Sequence, residues 1–137
     1  MLRFIVPGNP TAQGRQRFFR RGNFIGNYQP KKSAGFKKLV AMCAQAENPE
    51  IVDCPVFMKI DFYFKRPKKY CRKKDNPLII PSGSRPDADN LAKAVMDALN
   101  GIVYMDDGQV WHLDVRKWYH EIGGSPHTVV EVEASEE

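Results

Sequence analysis

The chain has 137 residues, 42% of them hydrophobic, and a formal net charge of +5. That length and apolar content suit one domain with its own core, residues 1–137, with an acidic tail fraying from about residue 134. Cys43, Cys54 and Cys71 are odd in number and lack Cys-x-x-Cys spacing, which argues against a disulfide framework or a zinc cluster; reduced thiols in a cytoplasmic protein are expected. The apolar N-terminal run Phe4-Ile5-Val6 is too short for a signal peptide or a membrane span, so no membrane association is expected.

Charge is divided unevenly. Residues 1–74 carry 17 Lys and Arg against 4 acids, and residues 75–137 carry 4 against 12. A basic half points to a polyanionic partner such as nucleic acid.

Along the chain, Leu2 to Val6 reads as a strand and Gly8 to Gln29 as a long basic loop. In that loop Arg15, Arg17, Arg20 and Arg21 surround Phe18 and Phe19, a mixture able to hold phosphates and stack on bases; each phenylalanine taken alone is expected to anchor the loop on the core. Lys31 to Glu47 reads as a helix with Phe36, Leu39, Val40 and Cys43 inward. Val56 to Phe64 alternates as a half-buried strand, with Val56, Met58, Ile60, Phe62 and Phe64 on one face. Lys65 to Lys74 then holds seven basic residues, among them Lys68 and Lys69, which read as phosphate contacts or as a solvated loop. A helix spans roughly Asp89 to Asn100, with Leu91, Val95, Ala98 and Leu99 on one stripe. Val110 to Tyr119 and His127 to Glu133 read as two strands forming an antiparallel pair, with Trp111 and Trp118 on opposite faces, one in the core and one available to a dimer partner. His112, His120 and His127 lack metal-ligand spacing and read as structural or exposed. The sum is an α+β fold, a mixed sheet of about four strands with two helices packed on it.

The acids carry the chemistry. Asp87, Asp89, Asp97, Asp106 and Asp107 fall within 21 residues. Such a cluster is unfavourable through like-charge repulsion unless cations neutralise it, and hard carboxylate oxygens without Cys or His nearby suit Mg²⁺ or Mn²⁺. Lys93 lies one helical turn beyond Asp89 and one before Asp97. A helix start and a strand start are expected to bring Asp87, Asp89 and Asp107 together. Each piece also has an ordinary role, in helix capping, turn formation or a solvated helix pair.

The run Arg85-Pro86-Asp87-Ala88-Asp89-Asn90-Leu91-Ala92-Lys93, then Asp97-Ala98-Leu99-Asn100-Gly101, then Asp106-Asp107-Gly108-Gln109-Val110 resembles the signature of the RusA family of Holliday junction resolvases, common in phages and prophages. Pro7-Gly8-Asn9-Pro10 and Gln13-Gly14-Arg15-Gln16-Arg17 are similar to that family's opening, so the resemblance spans nearly the whole chain. It implies Asp87, Asp89 and Asp107 as metal-binding carboxylates, Lys93 as an active-site lysine, Asp106 as an adjacent acid, and Lys117 as a basic position on the next strand. It also implies a bacterial or phage-encoded homodimer that binds four-way or branched DNA and nicks two strands in a Mg²⁺-dependent reaction. Arg15, Arg17, Arg20, Lys68, Lys69, Arg85 and Lys117 are the expected DNA contacts. A metal-dependent nuclease of broader DNA specificity and a noncatalytic DNA-binding module are the alternatives. A Ca²⁺-regulated protein fits least, because the acids do not match the twelve-residue loop.

Overall fold

Strict alternation over Val56–Phe64 places that strand at the centre of the sheet, where Val56, Met58, Ile60 and Phe62 are wholly buried. Each such side chain contributes about 1.5–3 kcal/mol relative to exposure. A computed structural model describes residues 1–14, 17–22, 24–28, 31–71 and 86–135. In chain order these form β1 (Leu2–Pro7), β2 (Arg17–Arg21), β3 (Phe24–Tyr28), α1 (Lys31–Gln45), β4 (Val56–Phe64), a 3₁₀ turn (Lys68–Tyr70), α2 (Ala88–Ala98), a second 3₁₀ turn (Asp107–Gln109), β5 (Val110–Tyr119) and β6 (His127–Ala134).

The larger sheet has the order β1-β6-β4-β5; β6 is antiparallel to both β1 and β4, and β5 is parallel to β4. The expected β5–β6 antiparallel pair is therefore corrected, since β4 lies between them. The reason is the helix. β4 and β5 are joined through α2, and a crossover of that length favours a parallel pair, whereas the link 120–126 carries the chain across the end of β4.

The long basic loop is corrected too. Within it β2 and β3 form a hairpin, Arg21 opposite Phe24, with Gly22 at φ +60° in the turn. Gly-Asn between two short strands is a hairpin signal, obscured here by the density of arginine. The side chains of Arg17, Phe18 and Phe19 lie outside the described residues, as do Arg15, Arg72 to Lys74, the segment 81–84 and Arg85.

Both helices cover one face. Phe36, Val40 and Ala44 of α1 and Leu91, Ala92, Ala94 and Val95 of α2 join Phe4, Val6, Val130, Val132 and the inward residues of β4 in a single core, with Leu39 and Cys43 against it. Small side chains at Ala92 and Ala94 let α2 approach closely. On the opposite face Tyr63 stacks on His127 at 4.4 Å, and Trp118 donates from Nε1 to Asp61 at 3.0 Å. Neither tryptophan reaches the core: a bulge at Val56/Phe57 displaces Trp111 from the alternation, leaving it 64% exposed and donating to Ser135. The reading of the histidines as structural or exposed agrees with their contacts. Nδ1 of His120 donates to Glu121 O and that of His127 to Ser125 O, while the exposed His112 rests on Phe57. The three cysteines are free thiols. Among the described residues no helix is long and apolar enough to cross a membrane.

Candidate active site

Asp87 occupies the N-cap position of α2 with extended backbone, and its carbonyl accepts from Leu91 N at 3.1 Å, yet its carboxylate makes no capping hydrogen bond. The ordinary capping role thus does not occupy this side chain. Asp89 follows in the first turn, exposed, where the positive end of the helix dipole favours negative charge. Lys117 on β5 fixes this helix start in place: its Nζ donates to Pro86 O at 2.9 Å. Gln13 holds the same turn from the other side, its backbone N–H donating to Asn90 O at 3.0 Å.

One turn beyond Asp89 stands Lys93, exposed, and one turn further Asp97, half-buried. Asp97 accepts from Gln13 Nε2 at 3.1 Å and pairs with Lys37 of α1 at 3.6 Å. The Asp107 carboxyl lies within hydrogen-bonding reach of it. Asp97, counted among the clustered acids but not among the expected metal ligands, is thus the carboxylate that Asp107 meets. Its i+8 spacing from Asp89, through Lys93, was the available signal.

The Asp106-Asp107-Gly108-Gln109 run explains how Asp107 is aimed. Asp106 caps the 3₁₀ turn, its carboxylate accepting from Gly108 N at 2.9 Å, while Gln109 Oε1 accepts from Asp106 N at 3.2 Å and from Met105 N at 2.9 Å. This is a reciprocal capping box. The amide of Gln109 donates in turn to Val52 O at 2.9 Å and Cys54 O at 3.0 Å, tying the turn to the segment before β4. Glycine at position 108 leaves room for the Asp106 carboxylate, since a Cβ there would lie 2.8 Å from Asp106 Oδ2. Asp106 is consumed by the turn, which leaves Asp107 facing α2.

Burial pushes the Asp107 carboxyl above the usual carboxylate range, helped by the Asp106 charge and then by the hydrogen bond to Asp97 and its charge; Lys93 opposes the shift. Below the acids Tyr104 is fully buried and donates its hydroxyl to Met96 O at 2.7 Å. Burial first, and then the charges of Asp107, Asp97 and Asp106, push that hydroxyl strongly up, so it stays neutral.

The acids form two groups. Asp87 stands ten residues before Asp97, about 15 Å along the helix. Among the described residues no three His, Cys, Asp or Glu side chains lie close enough to hold one metal ion. The donor chemistry nevertheless suits a hard divalent cation: two carboxyls face each other, and Gln13 Oε1, on the side chain that donates to Asp97, is buried with no hydrogen-bond partner among the described residues.

Of the expected DNA contacts, Lys68 and Lys69 are exposed on the first 3₁₀ turn. Arg20 is exposed and donates from Nε to Gly22 O at 2.9 Å, bracing the hairpin. Lys117 is half-buried as the strut to Pro86.

A family model described as endodeoxyribonuclease RusA matches residues 7–133. The chain is also 40% identical over 127 residues to the uncharacterized protein YqaN of Bacillus subtilis (strain 168), covering 88% of this chain and 89% of that one. With a family match from the last residue of β1 through nearly all of β6, over the acids and both supporting turns, the chain belongs to the RusA family of endodeoxyribonucleases.

Proposed function

We propose that this chain resolves Holliday junctions and related branched DNA by paired, Mg²⁺-dependent phosphodiester hydrolysis, in DNA recombination and repair. The observation that carries the reading is the Asp97–Asp107 carboxyl pair beside Lys93, on the helix whose start presents Asp87 and Asp89. Asp87 and Asp89 at the start of α2, and Asp97 with Asp107 at its far end, are the two carboxyl pairs that would hold Mg²⁺ or Mn²⁺. Such an ion supplies a water of lowered pKa and neutralises charge on the phosphate in the transition state.

The chain's own residues do the rest. Lys93 sets a cation against the acids and can donate to a non-bridging phosphate oxygen as charge grows there. Asp106 and Gln109 hold the turn that aims Asp107, and Lys117 holds the helix start. Arg15, Arg17, Arg20, Lys68, Lys69 and Arg85 contact phosphates, which supplies affinity and register but no chemistry. Symmetric nicking needs two active sites, and each chain supplies one such set of acids along α2 and the turn before β5, so the working unit is a homodimer.

A nuclease of broader DNA specificity would share these acids. Cleavage of an immobile four-way junction and of a linear duplex, each with and without Mg²⁺, separates the readings. The proposal expects metal-dependent paired nicks in the junction and little cutting of the duplex. Equal cutting of both would favour the broader nuclease.

A further inference from the structure

The basic segment after β4 is not uniformly solvated. Arg66 is only 3% exposed. Its Nε donates to Tyr70 O at 2.7 Å and one terminal nitrogen donates to His120 O at 3.3 Å. Those carbonyls belong to separate stretches, one in the first 3₁₀ turn and one just past β5, so the guanidinium fork fastens the turn to the sheet. The turn is closed locally by Tyr70 N to Pro67 O and Cys71 N to Lys68 O, both at 3.0 Å. The Tyr70 ring lies 6.0 Å from that of Tyr119, and Lys69 Nζ sits 5.0 Å over the Tyr70 ring. Burying a guanidinium costs several kcal/mol in lost hydration unless its donors are satisfied, an expense out of proportion for a loop that merely stays dissolved.

The platform also has a meaningful address. Tyr119 shares the helix-covered side of β5 with Lys117, two residues earlier and about 7 Å along the strand. Lys117 is the residue that holds Pro86, immediately before Asp87. Lys68 and Lys69 are therefore presented on the same side of the sheet as the start of α2, from a turn that needs no ordering on contact with a ligand, which lowers the entropic cost of binding.

We infer that Arg66 is a positioning residue for DNA: its fork fixes Lys68, Lys69 and Tyr70 as a preformed contact for two backbone phosphates entering the acid site. This rests on the nuclease reading for the identity of the polyanion.

The test is affinity for a labelled immobile four-way junction in EDTA across a salt series. It compares the wild-type chain, Arg66→Lys, the pair Lys68→Gln with Lys69→Gln, and the triple variant. Arg66→Lys keeps the charge but loses the planar fork. It is expected to weaken binding roughly tenfold and to flatten the slope of log K against log salt by up to about 1.8, at about 0.9 per phosphate contact. In the background lacking both lysines it should cost nothing more. Wild-type affinity and slope in Arg66→Lys, or a loss that adds fully to that of the lysine pair, overturns the inference. Should circular dichroism show Arg66→Lys unfolded, Tyr70→Leu decides, since it spares the backbone acceptor and removes the ring under Lys69. A several-fold loss supports the platform, and unchanged affinity overturns it. A wild-type chain that binds no DNA would instead remove the nuclease reading itself.

Discussion

Gln109→Ala tests whether the Asp-Asp-Gly-Gln turn is what aims the acid. The side chain makes four hydrogen bonds: two exposed ones accepted from Met105 N and Asp106 N, and two half-buried ones donated to Val52 O and Cys54 O. Taking about 0.5 kcal/mol for each exposed bond and about 1 kcal/mol for each half-buried one, the loss is about 3 kcal/mol. For 137 residues an unfolding entropy of about 0.29 kcal/mol/K turns this into a drop of about 10 °C in Tm. Gln109→Glu retains the acceptor but removes both amide donors and brings a charge toward two carbonyls, so it should cost at least about 2 kcal/mol. Denaturant unfolding and thermal melts measure both variants. Cleavage at a temperature where each is fully folded should also fall, by on the order of tenfold to a hundredfold, because Asp107 is displaced. A Gln109→Ala protein within about 0.5 kcal/mol of wild type and with normal cleavage would refute the reasoning.

Asp107→Asn should abolish metal-dependent cleavage yet stabilise the fold. A carboxyl whose folded pKa is raised contributes stability that is fully present below its ordinary value and lost as pH rises through the folded value. In EDTA the variant should therefore melt above wild type at neutral pH and converge with it near pH 4; a variant melting lower at pH 7 would contradict this. Asp97→Asn is expected to lower cleavage at least about 100-fold with junction binding retained, whereas Asp106→Ala should act through the lost cap, costing about 1 kcal/mol of stability with a milder effect on rate. Band shifts and cleavage on the same preparations check both. Tyr104→Phe leaves Met96 O without its hydroxyl donor and should cost about 1–1.5 kcal/mol by chemical denaturation.

Much of the core was legible because period-2 and period-3.6 patterns report burial directly: Val56, Met58, Ile60 and Phe62 alternate as they pack, and Leu91, Val95 and Leu99 share the inner face of α2. Strand pairing was less legible, since alternation marks a buried face without saying which strand lies alongside. The helical crossover from β4 to β5 was the clue to the parallel pair. Trp111 escaped the alternation because a bulge adds one residue to β5. Among the site residues, the spacing of Asp89, Lys93 and Asp97 placed them on one helix face, but the partner that crosses to Asp97 depends on the turn before β5. Asp-x-x-Gln was a readable capping box that would have assigned Asp106 to the turn and left Asp107 free. Arg66 could not be separated by composition from the exposed lysines around it, because its burial follows from carbonyls at Tyr70 and His120 that only the fold brings near.

The most direct measurement is cleavage of an immobile four-way junction by the wild-type chain and by Asp107→Asn, with Mg²⁺ and with EDTA, resolved on a denaturing gel that reads both strands. The proposal expects wild type to nick two opposing strands at related positions only with the metal, and Asp107→Asn to bind the junction without cutting it. Metal-independent cutting, or near-normal turnover by Asp107→Asn, would contradict it.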